Sequence, residues 1–272
     1  MSLEQFSDFS GLITSHLGIR LPEGKRLMLQ NRLARRARAL GLSSVPEYHK
    51  WFFADGPGRE EELQHLLDVA TTNKTSFFRE SGHFAALREI AQRADVARDA
   101  FRVWCAGCAT GEEAYTLAMV LLEARAEGGP AFSILATDVC SQALERARAA
   151  IYDRESVAAV PEPFRTRYFL RHRDPAVRAV RVAPEVRRCV RFGHLNFLSE
   201  DYGLPETVNA VFFRNVMIYF DRTTQRAVLG RICSYLAVGG HLFVGHSESA
   251  SGQGLPLTVA GTSVFRREEG PP

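Results

Sequence analysis

A loop rich in small residues, Ala106 to Glu113, has the composition of a cofactor-binding turn. Gly107 and Gly111 let the backbone bend sharply and approach a ligand without interference from a side chain. Their G-x-x-x-G spacing differs from the G-x-G-x-x-G of dinucleotide-binding proteins. Glu112 and Glu113 open the next predicted helix, where they would repel a pyrophosphate. S-adenosylmethionine carries a sulfonium and no phosphate, so the acidic loop favours this cofactor over NAD.

Asp138 is the second residue whose position suggests cofactor chemistry. It follows a predicted strand, where an acidic side chain accepts hydrogen bonds from ribose hydroxyls in nucleotide-binding sheets. An aspartate ahead of the helix that begins at Ser141 could instead serve as a cap. The glycine-rich loop upstream makes ribose binding the better interpretation.

Two other motifs suggest different chemistry. Cys105 and Cys108 belong to a W-C-x-x-C string typical of redox proteins. However, the loop that contains them continues through its glycines into an acidic segment, and the domain is larger than a thioredoxin unit. We interpret both thiols as small apolar fillers. The string from Gly245 to Ser249 is one glycine short of a hydrolase nucleophile elbow, and no helix follows directly. The eight histidines lack metal-ligand spacing, so no metal site is predicted.

The bulk composition limits the class of protein. With 272 residues, 46% hydrophobic and 24% charged, the chain has room for one large and one small globular domain. No apolar run approaches the roughly 20 residues that span a bilayer, and the N-terminus lacks a signal-peptide pattern. Five cysteines suggest no disulfide framework. We therefore expect a cytoplasmic protein without membrane insertion, and a monomer by default.

Positive charge is concentrated between residues 20 and 38, although the net charge is only +3. Arg32, Arg35, Arg36 and Arg38 lie on one predicted helix there. Such a helix could attract nucleic acid, anionic lipid or an acidic protein surface, or it could be a solvated face. Charge alone does not choose among these.

The pattern along the chain predicts how these residues are positioned. Residues 1–80 read as helical, and residues 81–272 alternate strands with helices, which is typical of a parallel, doubly wound α/β sheet. The alternation is interrupted at about 164–190, where valines lie among arginines between prolines. This segment predicts a small β-rich insertion at the edge of the main sheet.

Four strings together resemble the chemotaxis receptor methyltransferases, the CheR family, in both order and spacing. They are Thr71 to Glu80, Ala106 to Tyr115, Phe213 to Asp221 and Gly245 to Ser249. The resemblance covers essentially the whole chain and implies a Rossmann-like S-adenosylmethionine-dependent methyltransferase domain, a small all-helical N-terminal domain and an inserted β-subdomain. Some members use that subdomain to bind a receptor's C-terminal peptide. The segment from Arg171 to Pro175 lacks the glycines associated with that use, which favours tether-independent action.

The resemblance also implies the site residues. Positions matching the family's cofactor contacts are Asn73, Thr75, Arg79, Glu113, Asp138, Asn196, Phe197, Arg214 and Asn215. Arg79 and Tyr219 match residues near the transferred methyl group. Lys74 departs from the family, which often has another residue there.

The implied reaction transfers a methyl group to glutamate side chains on the cytoplasmic helical region of chemoreceptors, giving methyl esters and S-adenosylhomocysteine. Glutamate has a reference pKa near ~4.3 and is ionised at neutral pH, so alignment matters more than a general base. The basic helix would dock an acidic receptor surface. The rivals are a nucleic-acid methyltransferase, for which no Asn-Pro-Pro-Tyr string is found, and a non-catalytic cofactor-binding regulator, against which the intact Arg79 and Tyr219 argue.

Overall fold

The computed structural model describes residues 1–54, 58–94, 100–204, 207–251 and 254–269. Its helices are α1 (Leu3–Leu17), α2 (Arg26–Ala39), α3 (Val45–Phe53), α4 (Arg59–Ala70), α5 (Gly82–Arg93), α6 (Glu112–Ala126), α7 (Ser141–Ala149), α8 (Glu162–Tyr168), α9 (Pro184–Arg187) and α10 (Arg222–Tyr235). Its strands are β1 (Phe101–Ala106), β2 (Phe132–Asp138), β3 (Ile151–Asp153), β4 (Phe169–Arg171), β5 (Ala179–Val182), β6 (Val190–His194), β7 (Val208–Phe213), β8 (Leu236–Val244), β9 (Leu257–Gly261) and β10 (Val264–Arg267). No helix in these ranges is long and apolar enough to cross a membrane.

Helices α1 to α4 form the N-terminal domain around an apolar core of their own. Ser2 and Gln5 make a capping box at the start of α1, and Gly18 ends that helix in the left-handed conformation. The core includes Phe9 and Tyr48, both fully buried. The all-helical N-terminal domain predicted from the sequence is therefore present.

The main sheet has the order β6-β2-β1-β7-β8-β10-β9. The first five strands in this order, from β6 through β2, β1 and β7 to β8, pair in parallel. Strand β10 pairs antiparallel with β8, and β9 pairs antiparallel with β10 at the edge. Helices α5 and α6 bury apolar side chains on one face, and α10 buries its own on the other. A sheet covered on both faces accounts for the nearly continuous apolar strands, and the predicted α/β class is confirmed.

The small antiparallel sheet has the order β3-β5-β4. Its first strand is Ile151–Asp153, which lies ahead of the predicted start of the insertion at residue 164. This strand was missed because three residues are too few to show alternation, and because it follows α7 through one left-handed residue, Ala150. The insertion therefore begins directly at the end of α7.

The two domains are joined by polar contacts beside the ends of β1 and β2. The carboxylate of Asp68 in α4 accepts hydrogen bonds from the backbone amides of Ser141 and Gln142, at 2.9 and 3.2 Å. The N-cap of α7 is Cys140, which makes no side-chain cap. A carboxylate from the other domain satisfies these two amides instead.

Candidate active site

One cleft lies at the carboxyl ends of β1, β2 and β7, where open α/β sheets bind ligands. The N-terminal domain and the linker after α4 close it on one side. Its lining residues are Leu17, Ile19, Thr71, Thr72, Asn73, Lys74, Thr75, Arg79, Gly107, Ala109, Glu113, Asp138, Val139, Asn196, Phe197, Arg214, Asn215, Val216, Ile218, Tyr219 and Phe220. The structure thus brings together the residues that resemblance assigned to the cofactor, while the arginines of α2 lie outside the lining.

The two loop glycines have different tasks. Gly107 has a φ of +86°, and a Cβ there would lie 2.5 Å from Cγ2 of Val216, so only glycine fits between the loop and the opposite wall. Gly111 has a φ of +95°, and its Cβ would lie 2.9 Å from that of Ala147 in α7. Gly107 therefore shapes the cleft, whereas Gly111 lies behind it and allows α6 to pack closely on α7.

Asp138 is held in place by the backbone on both sides. Its Oδ2 accepts a hydrogen bond from the amide of Ala109 at 2.8 Å, and its Oδ1 accepts one from the amide of Cys140 at 2.9 Å. Burial raises the pKa of this carboxyl, and the amide donors oppose that shift. Each oxygen keeps a second lone pair for a ligand, so the geometry suits ribose hydroxyls while also ordering the start of α7.

Glu113 and Arg214 form a buried ion pair in the floor of the cleft. Arg214 Nε donates to Glu113 Oε2 at 2.8 Å, and the thiol of Cys105 donates to Glu113 Oε1 at 3.4 Å. The Arg214 side chain has no exposed surface, and its guanidinium lies over Phe84 at 5.2 Å from the ring centroid. The Glu113 carboxylate is therefore oriented by two donors before any ligand arrives.

Arg214 also organises the segment around Arg79. Its Nη2 donates to the backbone oxygen of Arg79 at 2.7 Å, and its Nη1 donates to Nδ1 of His83 at 3.0 Å. His83 Nε2 lies 3.1 Å from the backbone oxygen of Thr262, so the neutral Nε2–H tautomer satisfies both contacts. Burial and the Arg214 charge lower the pKa of His83. One guanidinium thus connects three parts of the chain.

Glu80, His83 and His246 are close enough together to suggest a metal site. However, Nδ1 of His83, which faces Glu80 Oε2 at 3.6 Å, already accepts a hydrogen bond from Arg214. Arg214 Nη1 also lies 3.7 Å from the Glu80 carboxylate. The Arg214 guanidinium therefore already supplies positive charge to this cluster.

The linker after α4 carries Asn73 and Thr75 into the cleft. Arg32 in α2 holds this linker, because its Nη1 donates to the backbone oxygens of Val69 and Thr71 at 2.8 and 2.6 Å. Asn73 Nδ2 donates to Cys140 Sγ at 3.1 Å. The N-terminal domain therefore positions one wall of the cofactor cleft.

Asn196 and Phe197 form the opposite edge of the cleft. Asn196 Nδ2 donates to the backbone oxygen of His16 in α1 at 2.6 Å, and its Oδ1 accepts from the amide of Leu198 at 2.9 Å. Phe197 is buried against Phe213, with ring centroids 5.0 Å apart. This edge is also tied to the N-terminal domain.

Arg79 and Tyr219 remain accessible at the mouth of the cleft. Phe78 and Glu80 flank Arg79 with φ values of 54° and 56°, a left-handed conformation that costs non-glycine residues energy and clusters at functional sites. The Arg79 side chain is 38% exposed; its Nη1 donates to the backbone oxygen of Lys74 at 3.3 Å, and its Nε lies 3.9 Å from Oε1 of Glu80. Within the described ranges, the half-buried Tyr219 hydroxyl has no hydrogen-bond partner. Both groups are free to bind a second molecule.

Glu248 has a structural role that the sequence motifs did not predict. Its Oε2 accepts from the amides of Asn215 and Gly245 at 2.7 and 2.8 Å, and its Oε1 accepts from the amide of Ile218 at 3.2 Å. Asn215 itself has a φ of 59°. Glu248 therefore fixes the loop that carries Asn215 and Tyr219. The only sequence signal was that its string belongs to the family resemblance.

The four arginines predicted to dock a substrate are divided by the fold. Arg36 Nε lies 2.8 and 2.9 Å from the two oxygens of Glu62, whose side chain is only 3% exposed. Arg32 is committed to the linker. Arg35 and Arg38 are exposed. The structure therefore leaves two of the four on the outer face of α2.

Comparisons with known proteins show the family to which the chain belongs. Residues 73–265 match the family described as "CheR methyltransferase, SAM binding domain", and residues 4–71 match "CheR methyltransferase, all-alpha domain". The chain is 38% identical over 265 residues to the chemotaxis protein methyltransferase of Escherichia coli strain K12, covering 97% of this chain and 91% of that protein. It is 39% identical over 232 residues to chemotaxis protein methyltransferase 2 of Pseudomonas aeruginosa, covering 85% and 81%. The family matches meet between residues 71 and 73, whereas the helical pattern placed the boundary at 80.

Proposed function

Because this chain belongs to the CheR family of S-adenosylmethionine-dependent methyltransferases of chemotaxis, we propose that its acceptor is the side-chain carboxylate of glutamate on chemoreceptors. The observation that carries the proposal is that the Arg79 guanidinium, which is 38% exposed, and the half-buried Tyr219 hydroxyl line the same cleft. A carboxylate is attracted to such a pair. An exocyclic amine of a nucleobase would need hydrogen-bond acceptors there instead.

The residues present fit the cofactor. The cleft offers Asp138 to a ribose, and Glu113 in its floor is an oriented carboxylate near which a sulfonium or an amino group is favoured. Gly107 leaves open the space that a Cβ would fill. Glu113, in the first turn of α6, lines the cleft where a pyrophosphate would meet the helix N-terminus and makes that position less favourable for an anion.

When bound, S-adenosylmethionine supplies an electrophilic methyl group. The acceptor glutamate is already ionised at neutral pH, because its reference pKa is near ~4.3, so no residue has to remove a proton. Arg79 and Tyr219 would hold one carboxylate oxygen and leave the other free to attack. Excluding water from this mouth would strengthen both contacts, since opposite charges attract more strongly at a lower dielectric constant.

The outer face of α2 would guide the receptor to the cleft. Arg35 and Arg38 are exposed there, and Arg32 on the same helix connects this face to the linker that lines the cleft. An acidic helical surface is complementary to this face, which favours rapid and specific association. The names of the two relatives, chemotaxis protein methyltransferases, support a receptor as the partner.

A methyl-transfer assay with tritium-labelled cofactor tests the acceptor. Receptor-containing membranes and total RNA are offered separately, and the label released as methanol by mild base is counted. We expect base-labile label on the receptor and none on RNA, because only a carboxyl ester gives methanol in this way. Base-stable label, or label on RNA, would contradict the proposal. Arg79→Ala should abolish the receptor signal, whereas Arg171→Ala, at an exposed position in β4, should not.

A further inference from the structure

A second concentration of positive charge lies in the segment 141–191. It holds twelve arginines, no lysine and six acidic residues, an excess of six positive charges in a chain whose net charge is only +3. The rest of the molecule is therefore net negative. This excess is independent of the basic helix α2, and the methyl-transfer reaction does not account for it.

Part of this segment forms an open pocket of about 590 Å³ between α6, α7, α9 and β6. Its lining residues are Tyr115, Arg148, Pro184, Arg187, Arg188, Val190 and Phe192. None of them lines the cofactor cleft. The volume is within the range of small-molecule sites, and three arginines and two aromatic residues are among its lining residues.

The three arginines are not neutralised by carboxylates. Arg148 Nη2 donates to the backbone oxygen of Phe192 at 3.2 Å, which directs it along the pocket wall. Arg187 Nε is buried and has no hydrogen-bond partner. Within the described ranges, no carboxylate oxygen lies within 4.0 Å of Arg148, Arg187 or Arg188. Glu185 is the acidic residue of α9 itself, and it is exposed.

A buried donor without an acceptor costs free energy, and structures rarely keep one without a ligand, water or role. Guanidinium groups match the oxygens of a phosphate, which they can bind in pairs of parallel hydrogen bonds, and three arginines line this one pocket. Phe192 is half-buried and meets the buried Tyr115 ring edge to face at 5.6 Å, so the wall also offers apolar contact to a ring. We propose that this pocket binds a small soluble phosphate ester of the nucleotide class, at a site separate from the cofactor cleft.

Calorimetric titration of the full chain with ADP tests the proposal. Saturating S-adenosylhomocysteine is present throughout, so that the adenosine moiety cannot enter the cofactor cleft. The pocket variant is Arg148→Ala/Arg188→Ala, in which both residues are exposed and the fold should be kept. The matched control is Arg146→Ala/Arg173→Ala, two exposed arginines of the same segment that do not line the pocket. Both variants lose the same charge.

We expect saturable ADP binding that is weakened at least about tenfold in the pocket variant and changes less than about twofold in the control, because two charge-assisted contacts are lost in only one of them. Pyrophosphate should bind more weakly than ADP, and adenosine should not bind. Equal weakening in both variants would show that only diffuse charge attracts the anion and would overturn the proposal. Lack of saturable ADP binding would also overturn it.

Discussion

The floor and the mouth of the cleft each contain an arginine, and the two are used in opposite ways. Arg214 in the floor is fully buried and donates to Glu113, to His83 and to the backbone of Arg79. Arg79 at the mouth is 38% exposed and makes only weak contacts within the described ranges: a 3.3 Å hydrogen bond to the backbone oxygen of Lys74 and a 3.9 Å approach to Glu80 Oε1. The floor is ordered before ligands bind, whereas the mouth retains donors for an acceptor.

This difference predicts that the floor contributes mainly to cofactor affinity and the mouth mainly to turnover. Ordered donors need no reorganisation when the cofactor arrives, and such preorganisation favours affinity. Unsatisfied donors at the mouth contribute only when the acceptor is present, so they favour turnover. Variants should therefore separate into those that lower cofactor affinity and those that lower rate.

The largest effect should come from Arg214→Lys. A lysine keeps the charge but cannot reach Glu113, His83 and the Arg79 carbonyl together, so buried polar groups lose their partner. Breaking such a buried pair typically costs about 3–5 kcal/mol. We expect a loss of unfolding free energy of this order and at least about hundredfold weaker cofactor binding. Arg20→Lys, in an exposed ion pair with Asp221, is the control. Denaturant unfolding measures the unfolding free energy, and calorimetry measures the cofactor affinity. An unchanged cofactor affinity would show that Arg214 does not order the floor for cofactor binding.

The floor of the cleft shows which features can be predicted from the sequence and which cannot. The glycine spacing and the two glutamates predicted the loop and the cofactor, and the alternation of strands with helices predicted the α/β class, because these depend on local backbone chemistry and periodicity. The partners of Arg214 lie 101 and 131 residues away along the chain. Pairing over such distances leaves no local pattern, so the role of His83 escaped notice. The division of α2 arginines was hidden for the same reason, since Glu62 lies on another helix.

Strand β9 was missed for another physical reason. It is an edge strand with mostly exposed residues, so no apolar alternation marks it. The first strand of the insertion was too short to be recognised. The helices and strands that could be predicted were those that pack against the core, because their buried positions must be apolar and this gives a recognisable hydrophobic pattern in the sequence.

Tyr219→Phe probes the mouth without disturbing the floor. The phenylalanine keeps the ring and removes only the hydroxyl, which makes no hydrogen bond within the described part of the chain. We expect kcat to fall by about tenfold to a hundredfold, the effect of losing one transition-state hydrogen bond of about 1.5–3 kcal/mol. The Kd for the cofactor should change less than about twofold. An unchanged kcat would refute a role in orienting the acceptor.

The outer face of α2 should give a smaller, substrate-dependent effect. Arg35→Glu/Arg38→Glu reverses two exposed charges, and we expect KM for the receptor to rise about tenfold and its salt dependence to weaken. Cofactor affinity and stability should be kept. Arg36→Glu on the same helix is the contrasting variant, because it strands the buried Glu62 and should mainly destabilise the protein. If all three positions changed KM equally, the division of α2 into outer and inner arginines would be wrong.

His83 in the floor should make the unfolding free energy of the protein moderately dependent on pH. Its pKa is lowered in the folded state, so the unfolded chain binds more protons at acidic pH. The stability contributed by neutral His83 is complete above its unfolded pKa of 6.5 and is lost as pH falls below that value. His83→Gln can keep both hydrogen bonds without titrating. We expect the unfolding free energy of the native chain to fall faster than that of the variant between about pH 7.5 and 5.5. Parallel pH profiles would exclude this role.

The smallest effect should come from substitutions of Cys105 and Cys108. These variants test whether the floor is a binding surface or a redox site. Burial raises the pKa of the Cys105 and Cys108 thiols well above the ordinary value, so neither is a reactive thiolate near neutral pH. Cys105→Ser keeps a donor to Glu113, and cofactor affinity should change less than about threefold. Cys105→Ala removes that donor and should weaken binding further, since Glu113 then loses one of its two orienting contacts. Calorimetry on both variants distinguishes a hydrogen-bonding thiol from an apolar filler. If Cys105→Ser/Cys108→Ser bound the cofactor but transferred no methyl group, the thiols would take part in the chemistry and the floor would be more than a binding surface.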